Sequence, residues 1–164
     1  AIFAQSVFFS FSESYLSFYY KIFTSIGTTD NIEEGESYFM AEARLLKRII
    51  DEGNSQIPVL CILDEIFRGT NTVERISSGL AVLKYFTDRN FCVINATHDL
   101  ELASLAKNFC QNFHFREEIK EKDIIFSYIL HQGICKTKNA IKILKSMDYP
   151  EEIYEKAINI SKGF

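Results

Sequence analysis

The sequence predicts an α/β fold: a mostly parallel sheet flanked by helices, followed by a C-terminal hairpin and two further helices. Three observations carry that prediction. Short apolar runs at Lys21–Ile26, Pro58–Leu63 and Phe91–Thr97 are rich in β-branched side chains, and a length of about six residues suits buried strands better than helices. Between them lie stretches whose apolar residues recur at three- and four-residue steps, the spacing of one helix face. Strand–helix–strand alternation then implies right-handed crossovers and a parallel sheet covered on both faces.

Taken in order, Ala1–Tyr20 is apolar and aromatic but has no basic leading region, so it does not read as a signal peptide. It also lacks an initiator Met, and the chain reads as a piece that begins inside a larger protein. In Ser37–Asp51, Phe39, Ala43, Leu46 and Ile50 line one helix face, and Gly53 stops that helix. The next helix begins at Thr72 or Val73 and runs to Thr87. Asn71 is its N-cap, Glu74 completes a capping-box-like pair, and Ile76, Leu80 and Leu83 face inward. A shorter helix covers Asp99–Lys107. Asn112–Glu118 and Asp123–His131 read as a hairpin around the polar stretch Glu118–Lys122. Helices follow at Lys138–Met147, with Ile141, Leu144 and Met147 on one face, and at Pro150–Ser161, with Ile153, Ala157 and Ile160 on one face and Pro150 in the first turn. The organisation is one partial domain: a leading remnant 1–20, a core 21–131 and C-terminal helices 132–164.

Composition limits the function classes. Of 164 residues, 47% are hydrophobic and 24% charged, so a buried core is expected and disorder is not. Eighteen basic against 22 acidic residues leave a net charge of −4, which argues against a free-standing nucleic-acid binder. No uninterrupted apolar run is long enough for a transmembrane helix. Cys61, Cys92, Cys110 and Cys135 form no CxxC pair, so zinc is not expected. They read as reduced thiols of a cytoplasmic protein, with Cys61 and Cys92 as small buried hydrophobes.

The strongest chemical signal is Val59-Leu60-Cys61-Ile62-Leu63-Asp64-Glu65, an apolar run ending in two adjacent carboxylates. A buried parallel strand delivers its last residues to the sheet edge where ligands bind, and neighbouring side chains there point to opposite sides. Asp64 can hold Mg²⁺, directly or through water, and Glu65 can orient and deprotonate an attacking water. Arg68-Gly69-Thr70-Asn71-Thr72 then forms a polar loop into a capped helix, whose N–H groups and dipole suit an anion. Ala96-Thr97-His98-Asp99 ends the next apolar run, so His98 should arrive beside the acidic pair, where an imidazole can hydrogen-bond a phosphate oxygen or the lytic water. In Gly35-Glu36-Ser37-Tyr38-Phe39-Met40-Ala41-Glu42, Ser37 stands where a helix begins, a plausible phosphate-facing surface. Each feature has a plainer reading: a strand end running into solvent, a helix cap, a structural histidine.

In combination, Gly35–Glu42, Leu63–Thr72 and Ala96–His98 resemble the ATPase domain of the MutS family of DNA mismatch-repair proteins, over about Ile22 to Ser161. Asp64-Glu65-Ile66 followed by Arg68-Gly69-Thr70-Asn71-Thr72 is the most specific part. The resemblance implies an ABC-type P-loop NTPase core that binds ATP and Mg²⁺ and dimerises to form two composite nucleotide sites. It implies that Asp64 belongs to the Walker B strand and helps bind Mg²⁺, that Glu65 is the general base, and that His98 is the switch histidine near the γ-phosphate. Ser37 matches the signature-loop serine that reaches the nucleotide of the opposite subunit, and Thr70 and Asn71 lie in the loop crossing the dimer interface. It further implies mismatched or otherwise structured DNA as a partner, held by regions outside this chain, and no membrane. Two positions depart from the pattern: Phe67 stands where Gly is common and Asn71 where Ser is common, which marks a divergent MutS-like branch.

No GxxxxGK[ST] sequence occurs in the 164 residues. In the family that phosphate cradle lies upstream, and Ala1–Gln5 resembles the end of the helix that follows it. The core is thus expected to lack its first strand and P-loop, to be inactive as an isolated fragment, and to expose an apolar edge around Ala1–Tyr20 that invites self-association. Two other readings remain. One is a subunit of another ABC-type ATPase, of the chromosome-maintenance or transporter kind, for which an LSGGQ-like signature is expected where this chain has Gly35-Glu36-Ser37-Tyr38. The other is a non-catalytic dimerisation module in which Asp64 and Glu65 are surface charges.

Overall fold

The three apolar runs form strands β1 (Lys21–Ser25), β2 (Val59–Asp64) and β3 (Phe91–Ala96), all parallel, with β2 in the middle. Their register is continuous: Cys61 stands opposite Phe23 on one side and Val93 on the other, and Asp64 opposite Ala96. The computed structural model describes residues 1–26, 38–120, 123–135 and 140–163. It divides into two units, Ala1–Cys110 and Gln111–Phe164. Among the described residues no helix is long and apolar enough to cross a membrane.

In the first unit the remaining elements are α1 (Ile2–Val7), α2 (Tyr38–Glu52), α3 (Thr72–Thr87) and α4 (Leu100–Ala106). The core joins Val59, Cys61 and Leu63 of β2 to Leu46 and Ile49 of α2, Ile76, Leu83 and Phe86 of α3, and Leu102 of α4. Its alternate residues show that these helices share one face of the sheet. The buried side of α2 is centred on Glu42, Leu46 and Ile49, with Phe39, Ala43 and Ile50 at its margins, a small rotation from the predicted face.

The other face is covered only in part, which differs from the two-sided cover that the alternation predicts. The segment from Ala1 to Tyr15 lies over Leu60, Ile62 and Ile94 and leaves a cavity of about 380 Å³ between them. Along β3 exposure therefore alternates: Cys92 and Ile94 are exposed while Phe91, Val93 and Asn95 are half-buried. Cys92 is thus not the buried hydrophobe that its apolar run suggests. Gln5 ties the segment down, donating from Nε2 to the Tyr20 carbonyl at 3.0 Å and accepting from the Tyr20 N–H at 2.9 Å. Phe8, Phe11, Leu16 and Phe18 are largely exposed.

In the second unit the predicted hairpin is present as two successive antiparallel ladders. β4 (Phe113–His114) pairs with β7 (His131–Gln132), and β5 (Glu117–Lys120) pairs with β6 (Asp123–Phe126). Tyr128, at φ 54°, bends the chain between β6 and β7. Helices α5 (Ala140–Ser146) and α6 (Glu151–Ser161) follow. Pro150 sits at the N-cap of α6 with ψ 136°, one position ahead of the predicted first turn. That extended ψ lets the proline precede the helix without occupying it.

Candidate active site

β2 stays buried or half-buried until Leu63 and surfaces at Asp64. Strand alternation puts Asp64 on the face of Leu60 and Ile62, away from α2, α3 and α4. The chain then leaves the sheet abruptly. The Glu65 N–H donates to the Ala96 carbonyl at 2.9 Å, one step past the last strand pair. Glu65 (φ 52°) and Phe67 (φ 60°) both lie in the left-handed region, which costs a residue with a side chain about 1–2 kcal/mol. Two such residues within three positions make a strained turn at the end of the central strand.

That turn aims the Glu65 carboxylate at the tip of the neighbouring strand. Oε1 lies 3.3 Å from His98 Nε2, and Oε2 lies 3.1 Å from Arg68 Nε. The Glu65 side chain is mostly covered, whereas that of His98 is 97% exposed. Among the described residues, Glu65 is the ion-pair partner of His98. Beside them Arg75, in the first turn of α3, grips Asp99 with two bonds: Nε to Oδ2 at 2.8 Å and Nη2 to Oδ1 at 2.9 Å. The hydrogen bond from Arg75 holds the Asp99 carboxyl below the ordinary aspartate value. Glu65, Ile66, Arg68, Arg75, His98 and Asp99 line one hollow of about 180 Å³.

The acidic pair therefore divides, with Glu65 in the hollow against His98 and Asp64 on the opposite side of the strand tip. Asp64 makes no side-chain hydrogen bond or ion pair among the described residues. No group of three or more His, Cys, Asp or Glu side chains arranged to hold a metal ion occurs among them either. A preformed metal cage is thus absent there, but one unengaged carboxylate at a strand tip fits Mg²⁺, which keeps water and phosphate oxygens as its other ligands.

Asn71 caps α3 as the sequence predicts, its side-chain oxygen accepting from the Glu74 N–H at 3.0 Å. The Glu74 carboxylate accepts from the Thr70 hydroxyl at 2.6 Å, so Thr70 and Asn71 are both fixed to the helix start. Ser37, with Gly35 and Glu36, lies outside the described residues.

Glu42 is the residue that sequence reasoning passed over. It is 3% exposed and belongs to α2. Burial raises its pKa above the ordinary glutamate value, against the smaller opposing pull of the backbone N–H groups of Arg68, Gly69 and Phe67. Its Oε2 has no hydrogen-bond partner among the described residues. An acid of α2 therefore lies against the backbone of the loop that follows the central strand. The ring of Phe67 reinforces the contact, packing 5.8 Å from that of Phe39. The left-handed φ of Phe67 is the conformation that Gly adopts without strain.

Comparison with known proteins adds an independent line. The family described as MutS domain V matches residues 1–164. The DNA mismatch repair protein MutS of Caldicellulosiruptor bescii is 33% identical over 155 residues, covering 92% of this chain and 18% of that protein. Its counterpart from Aquifex pyrophilus is 35% identical over 144 residues, covering 86% of this chain and 17% of its own length. The human DNA mismatch repair protein Msh3 is 33% identical over 159 residues, with 86% of this chain and 14% of that protein covered. The chain thus spans less than a fifth of the length of these relatives.

Proposed function

The chain belongs to the MutS family, and from that premise we propose that it carries the Walker B and switch-histidine side of an ATP-hydrolysing site. The observation that carries the proposal is the 3.3 Å contact between Glu65 and His98 at the tips of adjacent parallel strands. A carboxylate and an imidazole in one hollow form an acid–base pair suited to activating water beside a phosphate.

In this reading Glu65 orients the attacking water and takes its proton. His98 hydrogen-bonds a phosphate oxygen and answers the charge held on Glu65. Asp64 holds Mg²⁺ directly or through water, and the ion neutralises phosphate oxygens when bound. Ser37 reaches the nucleotide of an opposite subunit, while Thr70 and Asn71 support the loop at the interface of a homodimer. ATP binding closes that dimer and hydrolysis reopens it, and the movement is relayed to mismatched or otherwise structured DNA gripped by other parts of a longer protein. The net charge of −4 agrees with DNA contact lying elsewhere.

Residues 1–164 alone contain no GxxxxGK[ST] cradle, so the isolated chain should bind ATP weakly and hydrolyse none. Titration calorimetry with ATP and Mg²⁺ tests that, and micromolar binding would contradict it. The function itself is tested in the full-length protein. Wild type should turn over Mg-ATP, Glu65→Gln should retain nucleotide but lose turnover, and Asp64→Ala should lose turnover that Mg²⁺ supports in wild type. Background turnover in every version, wild type included, would leave a non-catalytic dimerisation module.

A further inference from the structure

Arg75 and Asp99 are both out of place by local rules. A cation in the first turn of a helix opposes the helix dipole, and Arg75 is the fourth residue of α3. Asp is among the best N-cap residues, and Asp99 occupies the N-cap of α4, yet its side chain makes no capping bond. One contact accounts for both anomalies, because the two carboxylate oxygens of Asp99 are engaged by the Arg75 guanidinium in a planar fork at 2.8 and 2.9 Å. The pair joins residues 24 apart in sequence and is about four-fifths covered.

What the pair holds is the backbone on either side of His98. The Asp99 N–H donates to Thr97 Oγ1 at 3.0 Å, closing a small turn around the histidine. An imidazole that is 97% exposed is not positioned by packing, so the place of its ring follows from the place of that turn. Arg75 also feels the charge of Glu65, which puts its guanidinium against the same hollow.

We propose that the Arg75–Asp99 pair is a positioning tether that anchors the 97–99 turn to the start of α3 and so holds His98 over Glu65. The tether makes the relative placement of the two strand tips depend on the helix that Thr70 and Asn71 begin, so a shift of that loop is transmitted to His98. This inference rests on the ATPase reading above for its kinetic arm only.

The test uses the full-length protein. Arg75→Ala should lower kcat for Mg-ATP on the order of tenfold with KM nearly unchanged, as expected when reacting groups are misplaced and binding is not. Arg75→Lys keeps the charge without the fork and should recover part of that loss. In a His98→Ala background, Arg75→Ala should lower kcat no further, because its effect runs through the histidine. An equal tenfold loss in that background, or no loss in wild type, overturns the proposal. Hydrogen exchange supplies a readout independent of turnover: amides 97–103 should exchange faster in Arg75→Ala while those of β2 keep their protection. Unchanged exchange at 97–103 overturns the tether. Absence of turnover in wild type refutes the ATPase reading instead, and exchange alone then decides the tether.

Discussion

The backbone nitrogen of Phe39 lies 2.9 Å from the point where a Cβ on Gly69 would stand. Cβ and Cα of Phe39 lie 3.0 and 3.2 Å from the same point. The loop after the central strand thus lies directly on the first turn of α2, and only a residue without a side chain permits that approach. Because the obstacle is backbone, it cannot swing aside. Gly69→Ala should force the loop off α2 and destabilise the fold by about 1–3 kcal/mol. Urea denaturation measures this, and a midpoint equal to wild type would show that the approach is not required.

Phe67, two residues earlier, combines an unfavourable backbone with a favourable ring. It is 8% exposed and sits at φ 60°. Removing the ring by Phe67→Ala should cost about 3–5 kcal/mol. Phe67→Gly deletes the same ring but relieves the left-handed strain, so it should be the more stable of the two by about 1 kcal/mol. The ordering of their denaturation midpoints is the measurement, and alanine outlasting glycine would mean the strain is not present in solution.

Much of this was readable in advance, and the exceptions have physical causes. The three strands were visible because buried parallel strands are continuous apolar runs, and the Asn71 cap because its pattern is local. The meeting of Glu65 with His98 followed from two strand tips sharing one edge. The Arg75–Asp99 fork could not be read, since it depends on how a helix start and a strand end lie in space. Glu42 was readable in principle: it stands three residues after Phe39 and four before Leu46, within the apolar stripe of α2. An acid in that stripe signals a buried polar partner, here the backbone of the loop. The partial cover of the second sheet face is not legible in the sequence, because the alternation of elements reports which strands exist, not how completely each face is packed.

Cys61 and Cys92 stand on adjacent strands but on opposite faces, and their reactivity should differ accordingly. Cys61 is fully buried, and desolvation pushes its thiol up to about 12. The thiolate is the reactive form, so Cys61 should resist a maleimide at neutral pH until the chain unfolds. Cys92 is exposed and should label in the folded state. Peptide mapping after labelling distinguishes the two, and modification of Cys61 in the folded protein would contradict the packing of β2 described above.

Glu42 and Asp99 should give the stability curve two opposing slopes. The Glu42 pKa is raised above 4.5, so folding favours its protonated form. Its stabilising contribution is complete below 4.5 and is lost as pH rises through the raised value. The Asp99 pKa is lowered below 3.8, so its contribution is complete above that value and is lost as pH falls through the depressed one. Glu42→Gln removes the first slope and Asp99→Asn the second. Denaturation midpoints of wild type and both variants, taken between about pH 3 and pH 8, separate the effects. The gap between wild type and Glu42→Gln should shift against wild type as pH rises from 4.5, and the gap between wild type and Asp99→Asn should close as pH falls below 3.8. Parallel curves for wild type and Glu42→Gln would mean that water reaches the carboxyl and that the loop does not bury it. Parallel curves for wild type and Asp99→Asn would mean that the fork on Arg75 is open in solution, which would remove the structural basis of the tether as well.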